Sequence, residues 1–269
     1  TDLKNRSLEN SVSMVEKGEN LVCGINAVDE LLRRQGRRVQ TLYCLDDAGR
    51  RVKELVERAR NDGVTIKSVP VSALDRLAGE IRHQGVAVAV APFLFTKLSE
   101  LLRSAKSISD GSVLVALDGV TDPRNLGAVI RSAAAAGVAG LLLPERRSAA
   151  ITATVAKTAA GALENMPISR IVNLADALRR CQENGFWVYG AAADGGEDLY
   201  SIEWPDFVVL VLGSEDKGLR PIVAKACDFQ VTIPLASRSE SLNVGIAAAV
   251  TLFEINRSRR HTRTDFSSR

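Results

Sequence analysis

The chain has 269 residues, 46% apolar and 25% charged, with a net charge of +3, which is ordinary globular composition and enough to bury a core of one large or two smaller domains. No apolar run reaches the length needed to span a bilayer, and the polar start Thr1-Asp2-Leu3-Lys4 lacks the apolar centre of a secretory signal, so a cytoplasmic protein without membrane association is expected. Four scattered cysteines without a CxxC pair, and only two histidines, His83 and His261, exclude the common zinc patterns and predict chemistry without a protein-bound metal.

Residues 1–20 are polar and predict a poorly ordered segment. Ile25, Val28, Leu31 and Leu32 then fall at helical spacing, followed by Arg33, Arg34, Arg37 and Arg38. Residues 39–45 read as a strand, 52–60 as an amphipathic helix and 64–69 as a strand. A short helix at 72–79 and a buried strand at 86–91 complete a small α/β unit over 21–92. Residues 93–110 predict a helix-containing linker. From 111 a second α/β pattern runs to 257: strands at 113–117, 140–143, 168–172, 186–192, 207–212 and 229–233. Helices at 125–136, 151–163, 174–184 and 241–257 alternate with them, and a basic, frayed tail follows at 258–269. Such alternation predicts a mostly parallel sheet covered on both faces.

Charge is unevenly spread over this plan. Residues 1–110 carry a net +3, residues 111–256 a net −4 and residues 257–269 a net +4. A polyanion would therefore be gripped mainly by the N-terminal part and the tail. Arg33, Arg34, Arg37, Arg38, Arg50 and Arg51 are the candidate phosphate contacts of such a polyanion, with a solvated basic face as the plain alternative. With aromatics at only 4%, stacking of bases on an aromatic platform is not the leading mode of recognition.

In open α/β sheets, ligands bind beyond the C-terminal strand ends. Three turns stand out there. The first, Asp118 to Arg131, opens a helix; Asn125 reads either as its N-cap or as a site residue, and Arg131 as a salt-bridge partner or a catalytic group. The second, Leu212-Gly213-Ser214-Glu215-Asp216-Lys217-Gly218, has two glycines around an acidic tip, suited either to close backbone approach to a ligand or to a plain surface turn. The third runs from Ile233 to Val244; Ser241 suits an N-cap, and Asn243 within a first helical turn is unusual for a mediocre helix former. Neither GxGxxG nor GxxxxGK[ST] occurs, which disfavours a nucleotide-binding oxidoreductase or a P-loop enzyme.

Taken together, N-L-G-A-V-I-R at 125–131, L-G-S-E-D-K-G-L at 212–219 and I-P-L-A-S-R-S-E-S-L-N-V at 233–244 resemble the three motifs of the SpoU/TrmH family in the SPOUT class of methyltransferases. G-I-N-A-V at 24–28 and H-Q-G-V at 83–86 resemble the small substrate-binding domain of bacterial large-subunit rRNA guanosine 2′-O-methyltransferases. His83-Gln84-Gly85 reads as a turn joining domains rather than as catalytic.

The resemblance implies a C-terminal domain with a deep trefoil knot, against the usual rule of un-knotted connections, and a homodimer built on it. It implies S-adenosylmethionine as cofactor and methylation of a ribose 2′-hydroxyl in RNA, expected to be 23S-type rRNA. A tRNA 2′-O-methyltransferase and a non-catalytic RNA-binding assembly factor are the alternatives. Arg131, Asn125, Glu215, Ser241 and Asn243 become the expected catalytic set. Gly190, Ala191, Leu212, Gly213, Gly218, Ile233 and Leu242 become the expected cofactor contacts. The family assigns hydroxyl activation to Arg131. Because arginine is normally permanently charged, positioning and electrostatic stabilisation are the favoured roles, with the general base left open.

Overall fold

The structure is a computed structural model that describes residues 21–33, 39–91, 93–236 and 241–266. Two compact units are present. One holds the described residues up to Leu94 together with Ile151–Asn165, and the other holds Phe95–Ala150 with the described residues from Met166 onward.

The first unit contains β1 (Leu21–Cys23), α1 (Ile25–Arg33), β2 (Val39–Leu45), α2 (Arg50–Asn61), β3 (Thr65–Val69), α3 (Val71–Ala78) and β4 (Val86–Val90). Its sheet has the order β1-β4-β2-β3, with β2 and β3 parallel and β4 antiparallel to both neighbours. Leu21, Cys23, Tyr43, Leu74 and Ala87 pack into its core. The three-residue strand β1 was not expected, being too short to show a period of two. The His83-Gln84-Gly85 turn links α3 to β4 inside this unit and joins no domains. His83 Nδ1 accepts from the Gly85 N–H at 2.9 Å, and Gln84 Oε1 accepts from the Ile25 N–H at 3.1 Å, so the turn fixes the start of α1. Helix α6 (Ala153–Ala159), which the strand–helix alternation assigned to the second domain, belongs to this unit and packs on β1.

The second unit contains α4 (Leu98–Lys106), β5 (Ser112–Asp118), α5 (Pro123–Ala135), β6 (Gly140–Pro144), β7 (Ile168–Ile171), α7 (Leu174–Glu183), β8 (Trp187–Ala191), β9 (Glu197–Asp198), β10 (Phe207–Gly213), α8 (Pro221–Ala224), β11 (Phe229–Thr232) and α9 (Val244–Phe266). The seven strands lie in the order β7-β6-β5-β10-β8-β11-β9, and every pair is parallel. The continuous β-branched and leucine runs of β5 and β10 fit this, since a strand covered on both faces needs no polar alternation. Leu114, Ala116, Leu142, Val209 and Val211 turn to one face and meet Leu101, Leu102, Leu178 and Cys181 of α4 and α7. Each such fully buried leucine contributes about 1.5–3 kcal/mol. The other face takes α5 and α9, which run side by side.

The last helix differs from expectation at both ends. It begins at Val244 rather than near Ser241, and it continues to Phe266 where a frayed tail was predicted. No apolar period marks residues 258–266, but Arg259 donates to the carbonyls of Pro205 and Asp206 at 2.6 and 2.8 Å, which anchors that stretch. Among the described residues, no helix is long and apolar enough to cross a membrane, and no cluster of metal-ligating side chains occurs.

Candidate active site

The site is built where β5 and β10, neighbours in the sheet, end together at Asp118 and Gly213. Asp122 caps α5: its Oδ1 accepts the Arg124 backbone N–H at 2.7 Å and Pro123 takes the first helical position. Asn125 is therefore not the cap. It lies in the first turn, half-buried, with its amide turned to another element.

That element is the start of α9. Asn243, rather than Ser241, is the N-cap. Its Oδ1 accepts from the Gly245 and Ile246 N–H groups at 2.9 and 3.4 Å. Its Nδ2 donates to Asn125 Oδ1 at 3.0 Å and to Glu215 Oε1. The same Glu215 oxygen accepts the Val244 N–H at 3.2 Å. A carboxylate at the positive end of a helix is electrostatically favourable, and the first three orphan donors of α9 are thereby satisfied. Asn243 thus spends all four of its hydrogen-bonding positions. It ties together the three turns singled out in the sequence: 125 from the first, 215 from the second and 243 from the third. Gly245 lets α9 start this close to α5, because a Cβ there would lie 2.8 Å from Ala128 Cβ.

Glu215 sits at the tip of a closed loop. The Gly218 N–H donates to the Ser214 carbonyl at 2.8 Å, and Gly218 takes a φ of +61°. A Cβ on Gly213 would fall 2.2 Å from the Gly218 carbonyl carbon, so loop closure itself requires glycine there. Gly190 is likewise demanded by packing: its Cβ would meet Leu219 and Cys227.

Sequence reasoning missed the bond that holds this loop to the sheet. Asp118, 1% exposed at the end of β5, accepts the Arg220 backbone N–H at 2.8 Å and the Arg220 Nε–H at 2.6 Å. The partners lie 102 residues apart. The one local signal was a carboxylate ending an otherwise apolar strand.

Arg131 lies six residues beyond Asn125, about 9 Å along the helix axis. It is exposed and has no hydrogen-bond or ion-pair partner among the described residues, which answers the salt-bridge alternative. Ser241 is exposed two residues before the cap. Leu212, Gly190, Ala191 and Ile233 gather at the ends of three adjacent strands, β10, β8 and β11, and half-buried Leu242 precedes the cap. Around Gly218 the space is open, since a Cβ there would meet nothing within 4 Å. The donor set is apolar side chains and backbone at strand ends, which suits a flat aromatic base with polar edges. The cysteines offer no nucleophile: burial pushes the thiols of Cys23, Cys181 and Cys227 up to about 12.

Of the expected phosphate contacts, Arg34, Arg37 and Arg38 lie outside the described residues. Arg33 pairs with Asp29 at 3.1 Å, Arg50 with Glu54 at 3.0 Å, and Arg51 donates to Asn26 at 3.4 Å. The surface depression along α2, lined by Arg50, Lys53 and Glu57 among others, contains no residue of the candidate active site.

A parallel sheet whose strand ends carry three interlocked turns is the arrangement in which α/β enzymes place their sites. Residues 112–253 match the SpoU rRNA Methylase family, and residues 21–96 match the RNA 2′-O ribose methyltransferase substrate-binding family. A 23S rRNA (guanosine-2′-O-)-methyltransferase RlmB from Xanthomonas axonopodis pv. citri is 40% identical over 91% of this chain and 99% of its own length. An uncharacterized tRNA/rRNA methyltransferase from Synechocystis sp. is 43% identical over 81% of this chain, but the match spans only 56% of that relative. An AdoMet-bound rRNA methyltransferase from Sinorhizobium meliloti superimposes with a TM-score of 0.71 at 26% identity, over 88% of this chain and 87% of that one. A putative RNA methyltransferase of the TrmH family from Porphyromonas gingivalis does so with 0.69 at 27% identity, over 88% and 89%. The chain belongs to the SpoU rRNA methylase family.

Proposed function

We propose that the chain transfers a methyl group from S-adenosylmethionine to the 2′-hydroxyl of a guanosine in 23S-type rRNA. The observation that carries this reading is the interlock of Asn125, Glu215 and Asn243 beside an exposed, unpartnered Arg131. The 40% identity to a 23S rRNA guanosine 2′-O-methyltransferase over nearly its whole length favours rRNA over tRNA.

When bound, the sulfonium cofactor supplies an electrophilic methyl group for an in-line displacement. Leu212, Gly218, Ile233 and Leu242 would hold it through backbone groups and apolar contact, with Ala191 on the adenosine side. Gly213 and Gly190 shape the loop and its bed. The interlocked amides and carboxylate fix the relation of α5 to α9, and Asn125 keeps its own side-chain N–H donors uncommitted for a ribose oxygen. Glu215 already accepts from two donors, so its task is positioning rather than proton removal. Arg131 meets the RNA, orients the phosphate beside the target ribose and stabilises negative charge developing on O2′. Ser241 completes the rim of the pocket.

In this reading the second unit, Phe95–Ala150 with the described residues from Met166, is the methyltransferase domain, and the first unit, the described residues up to Leu94 with Ile151–Asn165, is the RNA-binding domain; the expected linker 93–110 contributes α4 to the methyltransferase core. Arg33, Arg50 and Arg51 add phosphate contacts on the latter. The family's trefoil knot would pass the segment before α9 through the region of the 213–219 loop, a reading supported by the grip of Glu215 on Asn243 and Val244. A homodimer is supported by the apolar stripe that α9 leaves outward: Ile246 and Phe253, two turns apart, are 54% and 52% exposed.

The test is a ribose-methylation map of 23S rRNA and of bulk tRNA after incubation with purified protein and S-adenosylmethionine. One new 2′-O-methylguanosine in 23S rRNA is expected. A new site confined to tRNA would move the target, and no methylation of either pool would overturn the reading.

A further inference from the structure

The proposed site leaves one group of arginines without a task. Several arginines of the second unit are engaged: Arg179 with Asp176, Arg257 with Glu254, Arg220 with Asp118, Arg259 with the Pro205 and Asp206 carbonyls, and Arg170 over the Phe95 ring. Arg146 and Arg147 are exposed and have no hydrogen-bond or ion-pair partner among the described residues. They follow β6, which lies beside β5 in parallel register, so their loop emerges at the same sheet edge as the turn that leads into α5. The side chains of Arg124 on α5, Arg103 on α4 and Arg180 on α7 also lack such partners among the described residues, but they stand on helices rather than on a loop that follows a strand.

The loop is held at both ends. The Glu145 N–H donates to the Ile171 carbonyl at 2.9 Å, the Ser148 hydroxyl donates to the Pro144 carbonyl, and the Ala149 N–H donates to the Val120 carbonyl at 2.9 Å. The last of these bonds fastens it directly to the first active-site turn. Between the anchors, Arg147 takes a φ of +60°, the left-handed region that glycine and asparagine occupy with least strain. An arginine there carries a modest backbone strain that glycine or asparagine would avoid. Asp122 is committed to capping α5, and Glu145 forms no ion pair among the described residues.

We propose that Arg146 and Arg147 form a phosphate-binding ledge for the RNA strand that carries the target ribose. The assignment rests on the methyltransferase reading above. A planar guanidinium presents paired donors to phosphate oxygens, and contacts of that kind set register without reading sequence.

The experiment measures binding of a 23S rRNA transcript over a range of salt, with the full chain and two variants. Arg146→Gln with Arg147→Asn removes both charges while asparagine keeps the left-handed backbone. Affinity should fall several-fold, and the log–log salt slope should become shallower by about 1.4, roughly 0.7 for each lost phosphate contact on a single strand. Calorimetric affinity for S-adenosylmethionine should stay at the wild-type value. Arg147→Gly should melt no lower than wild type and still lose about half of that slope. Unaltered RNA affinity and slope in both variants would overturn the ledge. A wild type that binds RNA without methylating it would instead overturn the methyltransferase reading, and the salt slope would still decide the ledge.

Discussion

The two units carry their arginines differently. In the first, four guanidinium groups meet carboxylates of their own unit: Arg33 and Arg58 share Asp29, Arg50 pairs with Glu54, and Arg60 with Glu57, while Arg51 donates to the Asn26 amide and Arg76 and Arg82 have no ion-pair partner among the described residues. In the second, where residues 111–256 carry a net −4, four arginines without a side-chain partner among the described residues, Arg124, Arg131, Arg146 and Arg147, lie on α5 or at the strand ends beside it. Segment net charge alone therefore does not show where uncompensated charge lies within each unit. What attracts a phosphate is uncompensated charge at a shaped edge, and a basic helix laced with its own carboxylates offers less of it.

The largest effect expected from this contrast is at Arg131. Arg131→Ala should fold and bind the cofactor, since no described residue leans on its side chain, yet single-turnover methylation should fall by about a hundredfold or more. Near-normal turnover would remove Arg131 from the mechanism. Arg131→Lys should rescue little if a planar fork on a phosphate is what matters.

Next comes the bond between β5 and the acidic loop. Asp118→Ala should lower stability by about 2 kcal/mol in urea unfolding, because a charged hydrogen-bond acceptor is lost under a partly buried arginine. It should also lower kcat more than a surface change of equal destabilisation, since the loop that carries Glu215 is released. Asn243→Ala should cost about 1 kcal/mol as a lost helix cap, together with a measurable loss of methylation. Equal activity at equal stability in both variants would mean that the interlock only supports the fold.

Smaller still is the first unit's contribution. Arg50→Ala with Arg51→Ala should weaken rRNA binding less than the double change at Arg146 and Arg147, because each removed charge already had a partner. A larger effect from Arg50 and Arg51 would invert the comparison.

The smallest effect is on pH. Burial raises the thiols of Cys23 and Cys181 to about 12 in the folded chain, against about 8.5 when unfolded. Their contribution to stability is complete below the unfolded value and is lost as pH rises from there toward the folded one. A thiol reagent at pH 8 should therefore label both only after urea is added.

Much of this fold could be read in advance. Val113 to Leu117 and Phe207 to Leu212 announce buried parallel strands by continuous apolar runs, and the helices between them by their spacing. The strands Leu21–Cys23 and Glu197–Asp198 were invisible because two or three residues carry no period. The start of α9 was misplaced by three residues because both Ser241 and Asn243 are cap formers; only the position of Glu215 selects Asn243. Asp118 and Arg220 stayed hidden for another reason: nothing local in a sequence tells a carboxylate which residue, a hundred positions later, will neutralise it. Arg146 and Arg147 were passed over because charge was summed by segment, which hides where it is left unpaired.

The central claim, transfer to a ribose oxygen, is tested most directly by the nucleoside that receives the methyl group. Purified protein, 23S rRNA and S-adenosylmethionine labelled in its methyl group are incubated, and the RNA is digested to nucleosides. The account predicts label in 2′-O-methylguanosine and its absence when Arg131→Ala replaces the wild type. Label on a methylated base, or equal labelling by wild type and variant, would contradict it.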